Sequence, residues 1–277
     1  MSDETLAFFR KQALSISDAD QDAFIGGLET ASRALDELKA SGWSHVPACG
    51  MRDILQDADA LEAWDDFVGT WDHLSEDLFM ADGGRYRQRS YAVIRRDRQG
   101  HELLPPQPHY QSKVYNRANG GVDRWFEPIS MAALNNPAFR ASLEFGATLF
   151  DRMIGFGQMA GSGDEAFIVE AHQFRILAES GVHGQPTPEG MHRDGVDFVL
   201  VMLINRRNVS EGETRLARPD GQMLGSFTLC EPMETVVLDD HRVLHGVTPI
   251  HTEDPALSGA RDVLVLTYRR DIGGKAL

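Results

Sequence analysis

The sequence predicts a mainly β core of the jelly-roll, cupin-like kind, with an N-terminal helical region and flanking helices, so an α+β chain overall. Three observations lead there. From Phe167 onward the chain becomes a series of short apolar segments separated by Gly and Pro, the texture of a sandwich or barrel. Helical periodicity is confined to the segments before it. Two short segments that flank apolar strands carry His and Asp, and an open barrel mouth lets such groups converge from different strands.

The elements follow in chain order. Phe24, Leu28, Ala31, Leu35 and Leu38 recur at helical spacing between the acidic start Asp18-Ala19-Asp20 and the stop at Gly42. A second helical stretch, about Leu61 to Phe79, carries Trp64, Phe67, Trp71, Leu74 and Leu78, a stripe expected in the core rather than around a cofactor. Gly83-Gly84 ends it. Tyr86 to Ile94 reads as a strand, as does Tyr110 to Tyr115 after the Pro105-Pro106 loop. Pro137 to about Met159 reads as one more helix, with Phe139, Leu143, Phe150, Met153 and Ile154 on its apolar side. The strand candidates beyond are Phe167 to Leu177, Val196 to Asn205, Thr214 to Ala217, Gly225 to Leu229, Glu234 to Leu238 and Asp262 to Arg269. The expected division is a helical region, residues 1–82, packed on a β domain, residues 83–277.

Composition narrows the function. The 277 residues are 42% hydrophobic and 25% charged, ordinary for a soluble globular protein. No apolar run approaches a membrane span. Met1-Ser2-Asp3-Glu4 lacks the basic and apolar blocks of a signal peptide, and Cys49 and Cys230 are far apart, so a reducing cytoplasm is the expected compartment. A net charge of −15 argues against a nucleic-acid or anionic-membrane partner but leaves room for a small anionic ligand at a local Arg cluster. Oligomeric state is not legible. No phosphate loop, dinucleotide fingerprint or Cys-x-x-Cys pair appears.

The chemistry concentrates in His192-Arg193-Asp194 and in His245, 51 residues beyond Asp194. Two neutral imidazoles and one carboxylate hold a divalent ion without neutralising it. On Fe(II) such a three-ligand face leaves positions open for a chelating co-substrate and O₂. Residues i and i+2 of an extended segment point the same way, so His192 and Asp194 reach one metal, and the second His must come from a neighbouring strand. Gly190 and Gly195 place the triplet at a bend, ahead of the apolar run Phe198 to Ile204. Isolated histidines are more often satisfied surface or core groups. The ordered series of strand, triplet, strand, His and Arg-headed strand favours the metal.

Arg261 heads the last strand, 16 residues after His245, and offers a two-pronged donor to the far carboxylate of a dianionic co-substrate. Arg269 shares its face and is the alternative. His172 and Phe174 lie on one face of a strand, Gln173 and Arg175 on the other, and His172, Gln173 and Arg175 are substrate-binding candidates. Arg85, Arg87 and Arg89 alternate on one strand face and are able to meet a carboxylate, although a solvated edge strand is the commoner explanation. His241 is a bystander, since Val243-Leu244 and Gly246 to Pro249 argue for extended structure rather than a helical metal pair. Asp239-Asp240 is either an anchor for His245 or simply a turn.

The blocks Pro188 to Asp197, Ser226 to Pro232, Asp239 to Ile250 and Arg261 to Tyr268 resemble bacterial Fe(II)/2-oxoglutarate-dependent amino-acid dioxygenases typified by L-isoleucine 4-hydroxylase. Pipecolic acid hydroxylases are similar. The resemblance runs from about Arg85 to Arg270. It implies a double-stranded β-helix, His192, Asp194 and His245 as iron ligands, and Arg261 as the 2-oxoglutarate clamp. The region Glu211 to Thr214 departs in detail from the Gly-Glu-Ser pattern and is expected to shape the substrate pocket. The implied activity is hydroxylation of an unactivated C–H bond of a free L-amino acid, aliphatic or cyclic, using Fe(II), 2-oxoglutarate and O₂ and giving succinate and CO₂. The alternative is a non-catalytic cupin-like barrel that binds a metal or small ligand.

Overall fold

Residues 18–116, 118–155 and 166–271 are described by the structure, a computed structural model. Helix α1, Asp18–Ser41, ends where Gly42 takes a left-handed φ of 85°. It is followed by strand β1, Trp43–Val46, and helix α2, Ala48–Asp57. The predicted helix over 61–79 is shorter and broken. A 3₁₀ turn, Leu61–Ala63, leads into α3, Trp64–Gly69, then a second 3₁₀ turn, Thr70–His73, and the two-residue strand β2, Ser75–Glu76. Trp64, Phe67 and Trp71 are buried as their spacing predicts, whereas Leu78 is 81% exposed because the helix has already ended.

Strands β3, Arg87–Asp97, and β4, Gly100–Leu103, form a hairpin. Residues 110–115 are not a strand but a looped segment, tied to its neighbours by the paired backbones of His109 and Arg124. Helix α4, Met131–Asn135, is capped by Ser130. Asn136 caps helix α5, Pro137–Ile154, which has Pro in its first turn and a left-handed Gly155 at its end. The rest of that predicted helix, 156–159, lies outside the described residues.

The remaining strands are β5, Ala166–Ala178; β6, Phe198–Arg207; β7, Val209–Glu211; β8, Glu213–Ala217; β9, Met223–Thr228; β10, Thr235–Asp239; β11, Leu244–Val247; β12, Ile250–Thr252; and β13, Gly259–Asp271. Eight strands make one sheet, in the order β1-β10-β6-β13-β5-β3-β2 with β4 on β3, and β11-β8-β9 make a second of three. β7 and β12 pair separately. The chain is thus mainly β sheet with some helices. The N-terminal region is not wholly helical, because β1 adds directly to the large sheet, with Trp43 opposite Leu238 and Val46 opposite Thr235.

Strand alternation splits the large sheet into two environments. Leu200, Met202 and Ile204 of β6, Leu264, Leu266 and Tyr268 of β13, and Phe167, Val169 and Ala171 of β5 belong to the core that includes Leu38, Met51, Leu143 and Phe150 of the helices. Phe150 stacks on Phe198 with ring centroids 4.4 Å apart, and the Tyr268 hydroxyl donates to the Leu143 carbonyl at 2.9 Å. On the other face Val199 and Val201 meet Leu216, Leu224 and Phe227 of the small sheet. Both faces of β6 are therefore covered, which is why its sequence is a continuous apolar run rather than an alternation.

Candidate functional site

The inner face of the large sheet and β11 of the small sheet enclose a cavity lined by His192, Asp194, His245, Arg261 and residues of β3, β5 and β13. His245 lies on β11, paired with Leu216 of β8. His192 joins it through two reciprocal backbone hydrogen bonds, each 2.9 Å. The second histidine thus arrives from a neighbouring extended segment. The imidazole centroids are 4.5 Å apart, and the Asp194 carboxylate is 3.6 Å from His192 Nε2 and 3.5 Å from His245 Nε2. One ligand atom from each of the three residues falls within 4.8 Å of the others.

That donor set suits Fe(II), and the tautomer supports the fit. His192 Nδ1 is 2.9 Å from the Gly190 carbonyl oxygen. A proton donated there leaves the Nε2 lone pair facing Asp194 and His245. Burial opposes an imidazolium at His192, but the Asp194 and Glu189 carboxylates outweigh it and hold its pKa up at about 9, so a bound metal would take the place of the Nε2 proton. Burial and the adjacent His192 push His245 down to about 4. Asp194 is held well below the usual carboxylate range because the two imidazoles overcome the burial that would raise it.

The loop bearing Asp194 is fixed from behind. Asp240 accepts the backbone N–H groups of Asp194 at 3.0 Å, Gly195 at 2.8 Å and Val196 at 3.2 Å. Burial and the Asp194 charge push the Asp240 pKa up to about 6. Of the two roles the sequence left open for Asp239-Asp240, an anchor for His245 or a turn, Asp240 takes neither as stated: it anchors the loop that bears Asp194. Gln111 Nε2 donates to both the Asp194 carbonyl and its carboxylate, each at 3.2 Å, and Asn116 Nδ2 fixes that amide by donating to Gln111 Oε1 at 2.9 Å. Gly195 has a φ of 81°, and a Cβ there would lie 2.5 Å from the Tyr115 ring, so this bend requires glycine.

Arg261 is 2% exposed, and its Nε and Nη2 have no acceptor among the described residues. Burial and nearby Arg206 push its pKa down to about 10, so it remains a cation at neutral pH. Arg269 also lines the cavity but is exposed. His172 is buried in the cavity wall.

Gln173 and Arg175 are not in that wall. Strand alternation turns them to the opposite face, where Gln173 donates to Thr70 Oγ1 at 2.8 Å and Arg175 pairs with Asp262 at 2.8 Å and Asp72 at 3.0 Å. The solvated-edge explanation for the β3 arginines fails as well. Arg87 and Arg89 are buried and line the cavity, because β5 and β2 flank the strand on both sides. Only Arg85, before the strand, is exposed. His241, 3.1 Å from Asp197 and with its side chain 65% exposed, stays outside the site. Glu189 and Arg124 were not singled out from sequence, although both line the cavity. Glu189, three residues before His192, was the one of the two with a visible signal.

The chain is similar to known proteins over most of its length. The sequence model of the 2OG-Fe dioxygenase family matches residues 69–267. L-isoleucine-4-hydroxylase of Bacillus thuringiensis is 29% identical over 188 residues, which span 67% of this chain and 75% of that protein. The 3(1)-hydroxy-L-isoleucine 4-dioxygenase of Pantoea ananatis (strain AJ13355) is 24% identical over 187 residues, 67% of this chain and 73% of that protein. Among solved structures, a bsmA homolog from Methylobium petroleophilum PM1 superposes with a TM-score of 0.77 at 38% identity, covering 89% of this chain and 95% of that one.

Proposed function

This chain belongs to the 2OG-Fe dioxygenase family, and from that premise we propose that it hydroxylates an unactivated C–H bond of a free L-amino acid, aliphatic or cyclic. It is an enzyme that uses Fe(II), 2-oxoglutarate and O₂, so the non-catalytic barrel falls away. The amino-acid class is supported by two curated relatives, one named for isoleucine and the other for hydroxy-isoleucine. The single observation that carries the site is the convergence of His192, Asp194 and His245 within 4.8 Å on one wall of a buried cavity.

In this reading those three residues hold the iron. When bound, Fe(II) supplies the O₂ activation that couples oxidation of 2-oxoglutarate to succinate and CO₂ with oxidation of the substrate. Arg261 takes the distal carboxylate of 2-oxoglutarate; its Nε and Nη2, without an acceptor among the described residues, are a two-pronged donor. Asp240 and Gln111 keep Asp194 aimed. Val263 and Val265, between Arg261 and Thr267 on β13, keep that wall apolar and exclude water. We read the two facing sheets as a double-stranded β-helix, with residues 1–82 as a buttress to the 83–277 domain. The pairing of β1 with β10 supports the buttress.

The test has two steps. Anaerobic addition of Fe(II) and then 2-oxoglutarate is followed by visible absorption, and a charge-transfer band is expected. A screen of proteinogenic and cyclic L-amino acids then follows succinate release and a product 16 mass units heavier. A band without any amino acid that stimulates succinate release would reject the substrate class and leave the family assignment intact.

A further inference from the structure

The cavity wall carries charged groups that neither the iron triad nor Arg261 uses. Arg124 is 2% exposed, and its Nε has no acceptor among the described residues. Its backbone is fixed to His109 by hydrogen bonds of 2.9 and 3.0 Å, and its guanidinium carbon lies 5.8 Å from the Phe126 ring centroid. Glu189 has a side chain only 10% exposed, with Oε1 3.5 Å from His192 Nε2 and no donor to Oε2 among the described residues. Arg124 and Glu189 line the same cavity, where the Glu189 charge acts on Arg124. A buried cation and a buried anion that line one cavity with the triad, each with an unsatisfied polar atom, are costly unless something in the cavity completes them.

The other buried charged groups of the wall each have a side-chain partner, although Arg89 Nε, like Arg124 Nε, has no acceptor among the described residues. Arg87 pairs with Asp77 at 2.7 Å. Arg89 lies 3.6 Å over Phe126 and 4.6 Å over Phe174, and its Nη2 is 2.7 Å from His172 Nδ1. That last contact decides a competing reading. His109, Glu170 and His172 also place ligand atoms within 4.8 Å and imitate a second metal site. A guanidinium only donates, so His172 Nδ1 accepts and the ring carries its proton on Nε2. With Nδ1 taken and Nε2 protonated, and with Arg87, Arg89 and Arg124 repelling a cation, His172 is part of the wall and not a ligand. Glu170 is likewise engaged by the Tyr91 hydroxyl at 3.0 Å and has His109 Nδ1 at 3.4 Å.

Resting on the amino-acid reading above, we propose that Arg124 and Glu189 form a zwitterion clasp. Arg124 takes the substrate α-carboxylate and Glu189 takes its α-ammonium. A zwitterion fits both orphaned groups at once because its charges sit on adjacent positions, and it brings no net charge into the cavity. Holding both substituents of the α-carbon fixes which side-chain carbon is presented beside His192, and this is how a positioned substrate is attacked at one site.

The test begins with the unaltered protein, loaded anaerobically with Fe(II) and 2-oxoglutarate and titrated calorimetrically with the amino acids of the screen. The tightest binder is compared with its amide, which lacks the carboxylate, and with its 2-hydroxy acid, which lacks the ammonium. Each analogue is expected to bind about 10- to 100-fold more weakly, the size of one charge-assisted contact. Arg124→Met should abolish the preference for acid over amide, and Glu189→Gln the preference for amine over hydroxy acid. Arg124→Met should leave 2-oxoglutarate affinity unchanged. Equal binding of all three compounds by the unaltered protein overturns the clasp while leaving the amino-acid reading standing, and this arm does not depend on any variant folding. Arg124→Met weakening acid and amide alike would mark a merely structural residue and overturn the assignment. If no amino acid binds, the clasp and the amino-acid reading fall together.

Discussion

His192 and His245 exchange two backbone hydrogen bonds of 2.9 Å, so residues 53 positions apart in sequence form one antiparallel pair. Their imidazoles leave the backbone on the same side and meet Asp194 there. Only one of the three candidate ligands, His245, sits in a regular strand. The other two are fixed by this bridge and by the three N–H groups that Asp240 accepts.

His192→Ala, Asp194→Ala and His245→Ala should each abolish succinate release and weaken Fe(II) binding while leaving the metal-free protein largely folded, as circular dichroism would show. The backbone bridge survives each change, and most of the apolar core lies on the other face of the large sheet. Chelation should likewise remove activity, and Fe(II) should restore it. Normal turnover by Asp194→Ala would show that the metal is held elsewhere.

Arg261→Ala should weaken 2-oxoglutarate binding by roughly 10- to 100-fold, from about 1.5–3 kcal/mol for a charge-assisted contact. Iron affinity measured without 2-oxoglutarate should barely move. Titration of Arg269→Ala provides the control. A selective loss in that variant, and none in Arg261→Ala, would exchange the two roles.

Asp240→Asn keeps the shape of the side chain but turns one acceptor into a donor facing backbone N–H groups. Misorientation of the Asp194 loop should lower iron affinity about 10- to 100-fold, the usual effect of losing a group that orients a ligand. Circular dichroism should remain native. Unchanged iron affinity would mean that the Tyr115–Gly195 packing and Gln111 hold the loop without it.

Asp77 is buried against Arg87 at 2.7 Å and Arg89 at 3.7 Å. Burial alone would raise its pKa, but the two arginines overcome that and hold it below 3.8. A depressed carboxylate pKa contributes stability that is fully present above the unfolded value near 4 and is lost as pH falls through the folded value. Asp77→Ala leaves two buried guanidiniums without their anion and should cost about 3–5 kcal/mol in denaturant unfolding at pH 7. The gap from the parent protein should narrow below about pH 4. A gap that stays constant down to pH 2 would rule out the ionic origin.

Much of this molecule was legible in its sequence because the determinants are local. Strand alternation and the unbroken apolar run 198–204 depend on residues within one element, and the i, i+2 spacing of His192 and Asp194 already puts two ligands on one side. Alternation also separated His172 and Phe174 from Gln173 and Arg175, but periodicity does not say which face turns toward the cavity. The covering by α5 and by the small sheet decided that, sending Arg175 to Asp262 and burying Arg87 and Arg89 inside. The strand at Trp43–Val46 was missed because four residues carry little periodic signal, and it exists through pairing with β10. The partners of Asp240, the tautomer of His172 and the shared cavity of Arg124 and Glu189 depend on groups 44 to 83 residues apart in sequence. The sequence alone therefore determined the candidate ligand types and the long strands that frame them. The tertiary structure alone decided which charges share a cavity, since burial and electrostatic pairing are properties of neighbours in space.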